Sequence, residues 1–274
     1  QPDNRLMHRY IFKTNTIKET KTMLKISNLT VRYGSKTAVD NLSLEIEKGE
    51  IYGFIGHNGA GKTTTIKAVT GILSFDKGEI YINGISMKQD PLSCKRLIAY
   101  IPDNPDLYDY MTGIQYLNFI ADIFGISTTE RAAAIKEYAD AFEISADLGS
   151  PVSAYSHGMK QKLAIISALI HKPKLIIMDE PFVGLDPKAS HILKEMMKKH
   201  CSDGGAIFFS THVLDTAEKL CDKVAIIKKG KLIKTGTMEE VKGDDSLEEV
   251  FLELEGEKSG KGATPAIFDY PAPT

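Results

Sequence analysis

A glycine-rich turn, GHNGAGKTT, lies between an apolar segment, IYGFIG, and a segment with helical spacing, TTTIKAVTGIL. This is the P-loop pattern, with Gly56, Gly61, Lys62 and Thr63 at the required spacing and in the strand-turn-helix context that the motif needs. Glycines let backbone N–H groups converge on phosphate oxygens, and the start of a helix adds the positive end of its dipole. Lys62 is placed to reach the β- and γ-phosphates, and the Thr63 hydroxyl is placed to ligate Mg²⁺. The motif predicts nucleotide binding and leaves a kinase, a GTPase or another ATPase open.

Two later strand patterns end in polar side chains that suit nucleotide hydrolysis. The apolar run KLIIMDE ends in adjacent carboxylates, Asp179 and Glu180, and the run FFSTH ends in His212. In open α/β sheets the carboxyl ends of the strands form the ligand crevice. One carboxylate can support Mg²⁺ while the next orients or deprotonates water, and His212 can reach a γ-phosphate as a donor. A salt-bridged pair at a strand end and a structural histidine are the alternative interpretations.

Composition limits the other classes of protein. The 274 residues can form one substantial domain with a smaller appendage, and a formal net charge of -2 gives no global basic field of the kind that nucleic-acid binders use. The three cysteines are odd in number and lack CxxC spacing, which argues against a disulfide framework and a zinc site and favours a reducing cytosol. No apolar run approaches the roughly 18 residues of a membrane-spanning helix.

Patterns along the chain predict an α/β fold. Strand-like segments from Leu24 to Ile55 precede the P-loop, GEIYINGI predicts a hairpin arm that ends in the turn Asn83-Gly84, and LIAYI at 97–101 predicts another strand. Further along, buried apolar strands alternate with helical patterns, which implies a largely parallel sheet covered on both faces.

Helical spacing characterises the segment between about 112 and 150, where Leu117, Ala121 and Phe124 share one predicted face. This segment is therefore expected to be a helical insertion. The first residues lack the apolar region of a secretory signal, and the last ones are rich in Gly, Ala and Pro without a helical or strand period. We expect an N-terminal extension at 1–22, foreign or flexible, a main domain at 23–240 with its helical subdomain at about 104–158, a helical appendage at 241–256 and a flexible tail at 257–274.

Five motifs occur in a fixed order: the P-loop, an SxG segment that opens on Ser156, the LIIMDE strand, GLDP at 184–187 and STH at 210–212. In this order and context they resemble the ATP-binding-cassette (ABC) ATPases over residues 24–240, and YSHGMKQKL is similar to the ATPase subunits of bacterial exporter-type ABC transporters. The resemblance implies a P-loop NTPase of the α/β class, with a RecA-like, mostly parallel sheet core, an antiparallel β subdomain and an inserted α-helical subdomain.

The resemblance also implies roles for individual residues. Catalysis is assigned to Glu180 as the base, His212 as the switch histidine and Lys62, and Mg²⁺ to Thr63, Asp179 and Asp103. The nucleotide-binding set consists of Tyr33, His57, Asn58, Gly59, Ala60, Gly61, Lys62, Thr63, Thr64, Ser156, Gly158 and Asp186. Tyr33 would stack on adenine, with a strand-end core tyrosine as the alternative, and Asp186 would bridge to a second subunit. The expected cofactors are ATP and Mg²⁺.

Adjacent Ser156 and His157 also raise the hypothesis of a hydrolytic pair. The sequence has no G-x-S-x-G elbow, and neighbouring side chains project in different directions. Ser156 precedes a helical pattern, MKQKLAIISALI, where serine caps a helix and free N–H groups attract anions, so phosphate binding is the better interpretation. Three residues depart from the family pattern: in the signature, His157 and Met159 stand where glycine and glutamine are common, and elsewhere Asp103 stands where glutamine is common and cannot donate an amide hydrogen bond.

The resemblance implies an ATP-hydrolysing subunit that powers a membrane transporter of the exporter type. Two ATPase subunits, identical or different, would dimerise with ATP, because the signature of one closes over the P-loop of the other. Separately encoded transmembrane permease subunits would dock near the loop 103–115, which places the chain in the cytoplasm on the inner face of the cell membrane, with no nucleic-acid partner. The alternatives are a soluble ABC ATPase that acts on ribosomes or DNA and a nonhydrolysing regulatory module, and the presence of Glu180 and His212 argues against the latter.

Overall fold

The computed structural model describes residues 20–256. The expected tail at 257–274 and residues 1–19 of the expected N-terminal extension lie outside this range. Within it the strands are β1 (Thr22–Tyr33), β2 (Lys36–Glu47), β3 (Ile51–Ile55), β4 (Lys77–Ile82), β5 (Ile85–Ser86), β6 (Ile98–Ile101), β7 (Leu175–Asp179), β8 (Ala206–Thr211), β9 (Lys223–Lys228) and β10 (Lys231–Thr237). The helices are α1 (Lys62–Val69), α2 (Pro91–Leu97), α3 (Gly113–Ile123), α4 (Thr128–Ala141), α5 (His157–Leu169), α6 (Pro187–Ser202), α7 (Leu214–Leu220), α8 (Met238–Lys242) and α9 (Leu247–Glu255).

The larger sheet contains six strands in the order β10-β9-β3-β8-β7-β6. From β9 to β6 all neighbours run parallel, and only β10 runs antiparallel to its neighbour. Strands β3, β7 and β8 are buried at every position, because helices or the second sheet cover both faces. The predicted parallel sheet is thus confirmed.

The smaller sheet is antiparallel, in the order β2-β1-β4-β5. In β2 the side chains of Leu42, Leu44 and Ile46 are buried and alternate with exposed polar ones, as the period of two predicts. The hairpin from β4 to β5 turns at Asn83 and Gly84, whose φ angles of 49° and 80° are the left-handed values of a type I′ turn. This predicted turn is therefore present.

Two hydrophobic cores lie on opposite faces of the larger sheet. One contains the inner face of the small sheet, α1 and side chains such as Phe54 and Phe208. The other contains α5, α6, the inserted helices α3 and α4, and side chains such as Ile55 and Phe209. Neighbouring residues of one strand enter different cores because successive strand side chains point to opposite faces. The central sheet is the common wall of both cores.

The insertion contains two capped helices. Helix α3 begins with a capping box between Thr112 and Gln115, and α4 begins with one between Ser127 and Glu130. Leu117 and Ala121 are fully buried, as expected from the helical spacing. Phe124 is instead 36% exposed and stacks on the ring of His171, with the ring centroids 3.8 Å apart. Phe124 thus lies at the exposed end of the predicted face, where the insertion meets the main domain.

The predicted strand at 97–101 begins one residue later. Residues 91–97 form the short helix α2, in which Asp90 accepts a hydrogen bond from the Ser93 N–H and Pro91 occupies the first turn. The sequence PLSCKRL is too short to show a helical period. Asp90 as the N-cap and Pro91 in the first turn were therefore the only sequence signals for this helix. No helix among residues 20–256 combines the length and the apolar character needed to span a membrane.

Parallel pairing positions the candidate site. Ile55 at the end of β3 lies opposite Thr211 of β8, and Asp179 at the end of β7 lies opposite Ser210. The carboxyl ends of three adjacent strands therefore meet at one edge of the sheet, directly beside the start of α1. This edge is where ligands bind in open α/β sheets.

Candidate functional site

A cleft of about 480 Å³ opens at this edge. Most of the predicted site residues line it: Tyr33, His57, Asn58, Gly59, Gly61, Lys62, Thr63, Thr64, Asp103, Asp179 and Glu180. Ala60, which is 7% exposed, packs behind the loop and accepts a hydrogen bond from the Gly230 N–H through its carbonyl. The structure thus brings together residues that are up to 147 positions apart, from Tyr33 to Glu180.

The phosphate loop depends on glycine at two positions where a side chain would clash. A Cβ at Gly61 would lie 2.7 Å from the Ala38 carbonyl oxygen, and one at Gly56 would lie 2.5 Å from that of Ile227. Gly61 also has a φ of 112° and caps α1 without a side-chain hydrogen bond. The N–H groups of the first turn of α1 are consequently not engaged by a capping side chain, which suits an anion.

Lys62 lies within this loop and is only 6% exposed. Its ammonium donates to the carbonyls of Gly56 at 2.5 Å and His57 at 3.3 Å and lies 3.5 Å from Oε1 of Glu180. A buried cation needs such partners, because desolvation of an unpaired charge is costly. The ammonium is thus held inside the cleft, between the phosphate loop and the carboxylate pair.

Asp179 and Glu180 are held by one hydroxyl. Ser210 donates to Oδ1 of Asp179 and accepts a hydrogen bond of 3.1 Å from the Glu180 N–H. Asp179 is 1% exposed and Ser210 is fully buried, so this hydroxyl organises both residues away from water. Glu180 has a φ of 48°, in the left-handed region that non-glycine residues rarely adopt. The hydrogen bond to Ser210 helps to hold Glu180 in this conformation. Because its backbone is left-handed, the Glu180 side chain points in a different direction from the side chains of β7.

His212 lies beside the carboxylate pair rather than in the lining of the cleft. Its Nδ1 is 3.0 Å from Oε2 of Glu180, and its side chain is 51% exposed. The two Glu180 oxygens therefore have separate cationic or polar neighbours: Lys62 on one side and His212 on the other. This arrangement orients the carboxylate toward the phosphate end of the cleft.

The predicted metal ligands have suitable chemistry. Hard oxygen donors from a hydroxyl and from carboxylates are those that Mg²⁺ accepts, and Thr63, Asp179 and Asp103 line the same cleft. Oδ2 of Asp179 is buried and has no hydrogen-bond partner among the described residues. Because a buried carboxylate oxygen without a partner is unfavourable, these residues fit a hydrated cation.

Ser156 and Gly158 lie outside the cleft lining. Ser156 is the N-cap of α5, and its Oγ accepts a hydrogen bond of 3.3 Å from the Met159 N–H. The His157 ring lies against Gly184: a Cβ on Gly184 would be 2.4 Å from the ring. The hydroxyl therefore serves as a helix cap and the imidazole as a packing group, which removes the geometric basis for a hydrolytic pair.

The GLDP segment is tied to the same helix. A Cβ on Gly158 would lie 2.7 Å from the Gly184 carbonyl oxygen. Asp186 caps α6 by accepting from the Ala189 N–H, and Lys162 Nζ lies 2.8 Å from its Oδ2. The hydrogen bond from Lys162, and then that from the Ala189 N–H, lower the pKa of Asp186. The exposed start of α5 and the carboxylate of Asp186 thus form one surface, separate from the cleft of the same chain.

Several residues that the sequence analysis did not select also contribute. The cleft is further lined by Lys36, Thr37, Ala38, Lys229 and Gly230. The turn at Gly230 contacts the phosphate loop through the Ala60 carbonyl and β2 through the Asp40 N–H, both at 2.8–2.9 Å. Ser210 belongs to the STH motif, but the motif gave this serine no role. Its role follows from the register of β8 against β7, which places it opposite Asp179 and cannot be inferred from the sequence.

We expect Ser210→Ala to lower the free energy of unfolding by about 2 kcal/mol, because the buried Asp179 loses its hydroxyl donor. Urea unfolding measures this value. Ser167→Ala is the matched control: Ser167 is buried, but its hydroxyl donates to the Ala164 carbonyl of its own helix, so the loss should remain below about 1 kcal/mol. Equal losses for the two variants would contradict the assigned role of Ser210.

A sequence model of the family described as "ABC transporter" matches residues 39–183. The chain is 35% identical over 244 residues to the ABC-type transporter ATP-binding protein EcsA of Bacillus subtilis (strain 168), and the alignment covers 87% of this chain and 99% of that protein. It is 36% identical over 218 residues to the linearmycin resistance ATP-binding protein LnrL of the same organism, with coverage of 78% and 69%.

A solved structure described as the ATP binding subunit of an ABC transporter has the same fold. Its TM-score to this chain is 0.82 at 36% sequence identity, and the match covers 85% of this chain and all of the other. The family match spans the phosphate loop, the SxG segment and the LIIMDE strand, and the first and third of these line the cleft. The chain belongs to the ABC transporter family, as an ATP-binding and ATP-hydrolysing subunit.

Proposed function

We propose that the chain binds ATP with Mg²⁺ in the cleft, dimerises across the bound nucleotide and drives a permease of the exporter type. The observation that carries this proposal is the division of the motifs between two surfaces. The phosphate loop, the carboxylate pair and His212 surround one cleft, whereas Ser156 caps a helix outside it. A site completed by a second copy accounts for this division.

Within one chain, the cleft residues bind and orient the nucleotide. Tyr33 is 51% exposed at the end of β1, which leaves its ring available to stack on adenine. The phosphate loop donates backbone N–H groups to the phosphates, and the Lys62 ammonium exchanges its carbonyl partners for phosphate oxygens. Thr63, Asp179 and Asp103 would hold Mg²⁺, which would supply positive charge to the phosphates.

Glu180 is the general base in this proposal. The water oxygen bonds to the γ-phosphorus, the bond from this phosphorus to the oxygen shared with the β-phosphate breaks, and Glu180 accepts the water proton. The products are ADP and phosphate. The Nδ1 of His212, 3.0 Å from Oε2, and the Lys62 ammonium, 3.5 Å from Oε1, hold the carboxylate in place. A carboxylate held in this way is positioned to accept the proton of a bound water molecule.

Glu180→Gln should keep ATP binding and lower kcat by about 10²- to 10⁴-fold, because the amide cannot accept the proton. Steady-state hydrolysis and equilibrium binding of ATP measure the two effects. Glu195→Gln is the matched control, since Glu195 is exposed on α6 and pairs only with Lys198 among its described contacts. Unchanged turnover in Glu180→Gln would reject Glu180 as the base.

The second surface is proposed to clamp the nucleotide of a partner copy. The exposed N-cap Ser156 and the first turn of α5, which contains Gly158, offer N–H groups to an anion. Asp186, on the same surface, is the proposed bridge to the partner. Each chain then supplies a phosphate loop to one nucleotide and a helix N-terminus to the other.

Ser156→Arg should leave nucleotide binding by the single chain intact and abolish ATP-dependent dimerisation, because the long side chain occupies the clamp. Size-exclusion chromatography with ATP, in the Glu180→Gln background, measures the dimer. Ser127→Arg is the matched control, since Ser127 is also an exposed helix N-cap but lies on α4. Normal dimers of Ser156→Arg would contradict the clamp.

We further propose that the permease docks on the helical insertion and the loop 103–115, and that the chain is thereby peripheral to the inner face of the membrane. This loop carries an exposed aromatic group: Tyr110 is 80% exposed and Tyr108 44%, with their ring centroids 5.7 Å apart. Exposed aromatic side chains of this kind anchor protein interfaces. The name of the relative LnrL, a resistance protein, supports export.

Purification of the tagged chain from gently solubilised membranes should recover a polytopic membrane protein. Tyr110→Glu should reduce this recovery at least several-fold, because it places a charge in an aromatic contact, while ATP hydrolysis by the isolated chain stays unchanged. Leu92→Glu is the control, since Leu92 is 62% exposed on α2. Recovery of ribosomes or DNA instead would support the alternative, a soluble ABC ATPase.

The domain boundaries are likewise a proposal: residues 23–240 form the ATPase domain, with its helical subdomain at about 104–158 and a helical appendage at 241–256. The subdomain contains α3 and α4, α9 lies in the appendage, and α8 crosses the boundary at 240. A boundary at 158 falls within the first turn of α5, which begins at His157. The subdomain would therefore join the main domain through this helix.

A further inference from the structure

Tyr100 of β6 has a buried hydroxyl that the site described above does not use. The oxygen is inaccessible to solvent and has no hydrogen-bond partner among the described residues. A buried hydroxyl left without a partner costs about 1–3 kcal/mol in the free energy of folding. Tyr52 of β3 shows the usual solution, because its hydroxyl lies 2.6 Å from Oγ1 of Thr235. Within residues 20–256 the Tyr100 hydroxyl therefore lacks the hydrogen-bond partner that a buried hydroxyl needs.

The register of the sheet places Tyr100 next to the carboxylate pair. Tyr100 pairs with Ile177 of the parallel strand β7, and Asp179 follows two residues later on the same face of that strand. Tyr100 and Ile177 both belong to the hydrophobic core that also contains Ile66 of α1. Tyr100 and Asp179 thus face the side of the sheet on which α1 begins with the phosphate loop.

Two further buried polar atoms in this region lack a hydrogen-bond partner among the described residues. They are Oδ2 of Asp179 and Oε1 of Glu180, although Oε1 lies 3.5 Å from the Lys62 ammonium. The Tyr100 hydroxyl is an O–H donor at neutral pH.

We propose that Tyr100 is a positioning residue of the nucleotide site, whose hydroxyl donates a hydrogen bond to a water molecule in the hydration shell of the divalent cation bound with ATP. This inference rests on the proposed binding of Mg²⁺ in the cleft. Mg²⁺ retains several of its waters in proteins, and groups that hydrogen-bond to the ligands of a metal ion orient them and tune its affinity. Tyr100 thereby adds a donor from β6, the strand that neighbours the one carrying Asp179.

Tyr100→Phe tests the proposal because it removes only the hydroxyl. The apparent Kd for Mg²⁺, measured by titration at a saturating concentration of a non-hydrolysable ATP analogue, should rise by about tenfold. Affinity for the analogue in EDTA should stay at the wild-type value. The unfolding midpoint without nucleotide should stay at or above that of the wild type, since the variant loses an oxygen that has no partner.

Tyr52→Phe is the matched control. It also removes a buried tyrosine hydroxyl from the same sheet, but one that is already hydrogen-bonded. It should lower the unfolding midpoint and leave the apparent Kd for Mg²⁺ unchanged. The two variants are thus expected to show opposite patterns.

A wild-type Kd for Mg²⁺ in Tyr100→Phe would overturn the inference about Tyr100 and leave the proposed function intact. A lower unfolding midpoint without nucleotide would also overturn it, because the hydroxyl would then have a structural role. If the wild-type protein itself bound the analogue without any dependence on Mg²⁺, the metal part of the proposed function would fail and the inference would fail with it.

Discussion

The parallel pairing of β3, β8 and β7 is the constraint on which the rest of the site depends. It aligns the ends of three strands, so the phosphate loop after β3, Ser210 in β8 and the carboxylates after β7 meet at one edge. Ser210 fixes the relative positions of the two carboxylate residues, because its buried hydroxyl contacts both Asp179 and the backbone of Glu180. The left-handed backbone of Glu180 then directs its carboxylate between Lys62 and His212. Strain at a functional residue persists where its surroundings determine the conformation, as they do here.

The same fold keeps the helix N-terminus of α5 apart from this edge. Ser156 and Gly158 lie at the end of the helical insertion. Gly184 packs against His157 and Gly158 so closely that neither glycine position leaves room for a Cβ. The pair of Lys162 and Asp186 adds a polar connection between α5 and the start of α6. Because the carboxylates after β7 lead directly into the segment with Gly184, a shift at the nucleotide site has a short path to this second surface. In the proposed dimer, this path would couple ATP bound to one chain to the contact with the other.

The sequence analysis correctly predicted the α/β fold, the largely parallel sheet and the Asn83-Gly84 turn, because each has a strong local signal. It missed α2, whose seven residues are too few to show a helical period. It placed Phe124 on one face with Leu117 and Ala121, which are buried, whereas Phe124 is 36% exposed and stacks on His171. Ser210, Tyr100 and the turn at Gly230 received no role, since their positions depend on strand register and on contacts between distant segments.

What the sequence determined by itself is the chemistry: glycines and a lysine for phosphate, adjacent carboxylates at a strand end, and a serine before a helix. These features are local, and backbone conformation and side-chain chemistry suffice to interpret them. What only the tertiary structure decided is which groups share a site. Strand register brought Ser210 and Tyr100 to the carboxylates, and helix packing kept Ser156 away from the cleft of its own chain. The physical reason is that such contacts arise from the packing of sheet and helices, which no short stretch of the chain specifies alone.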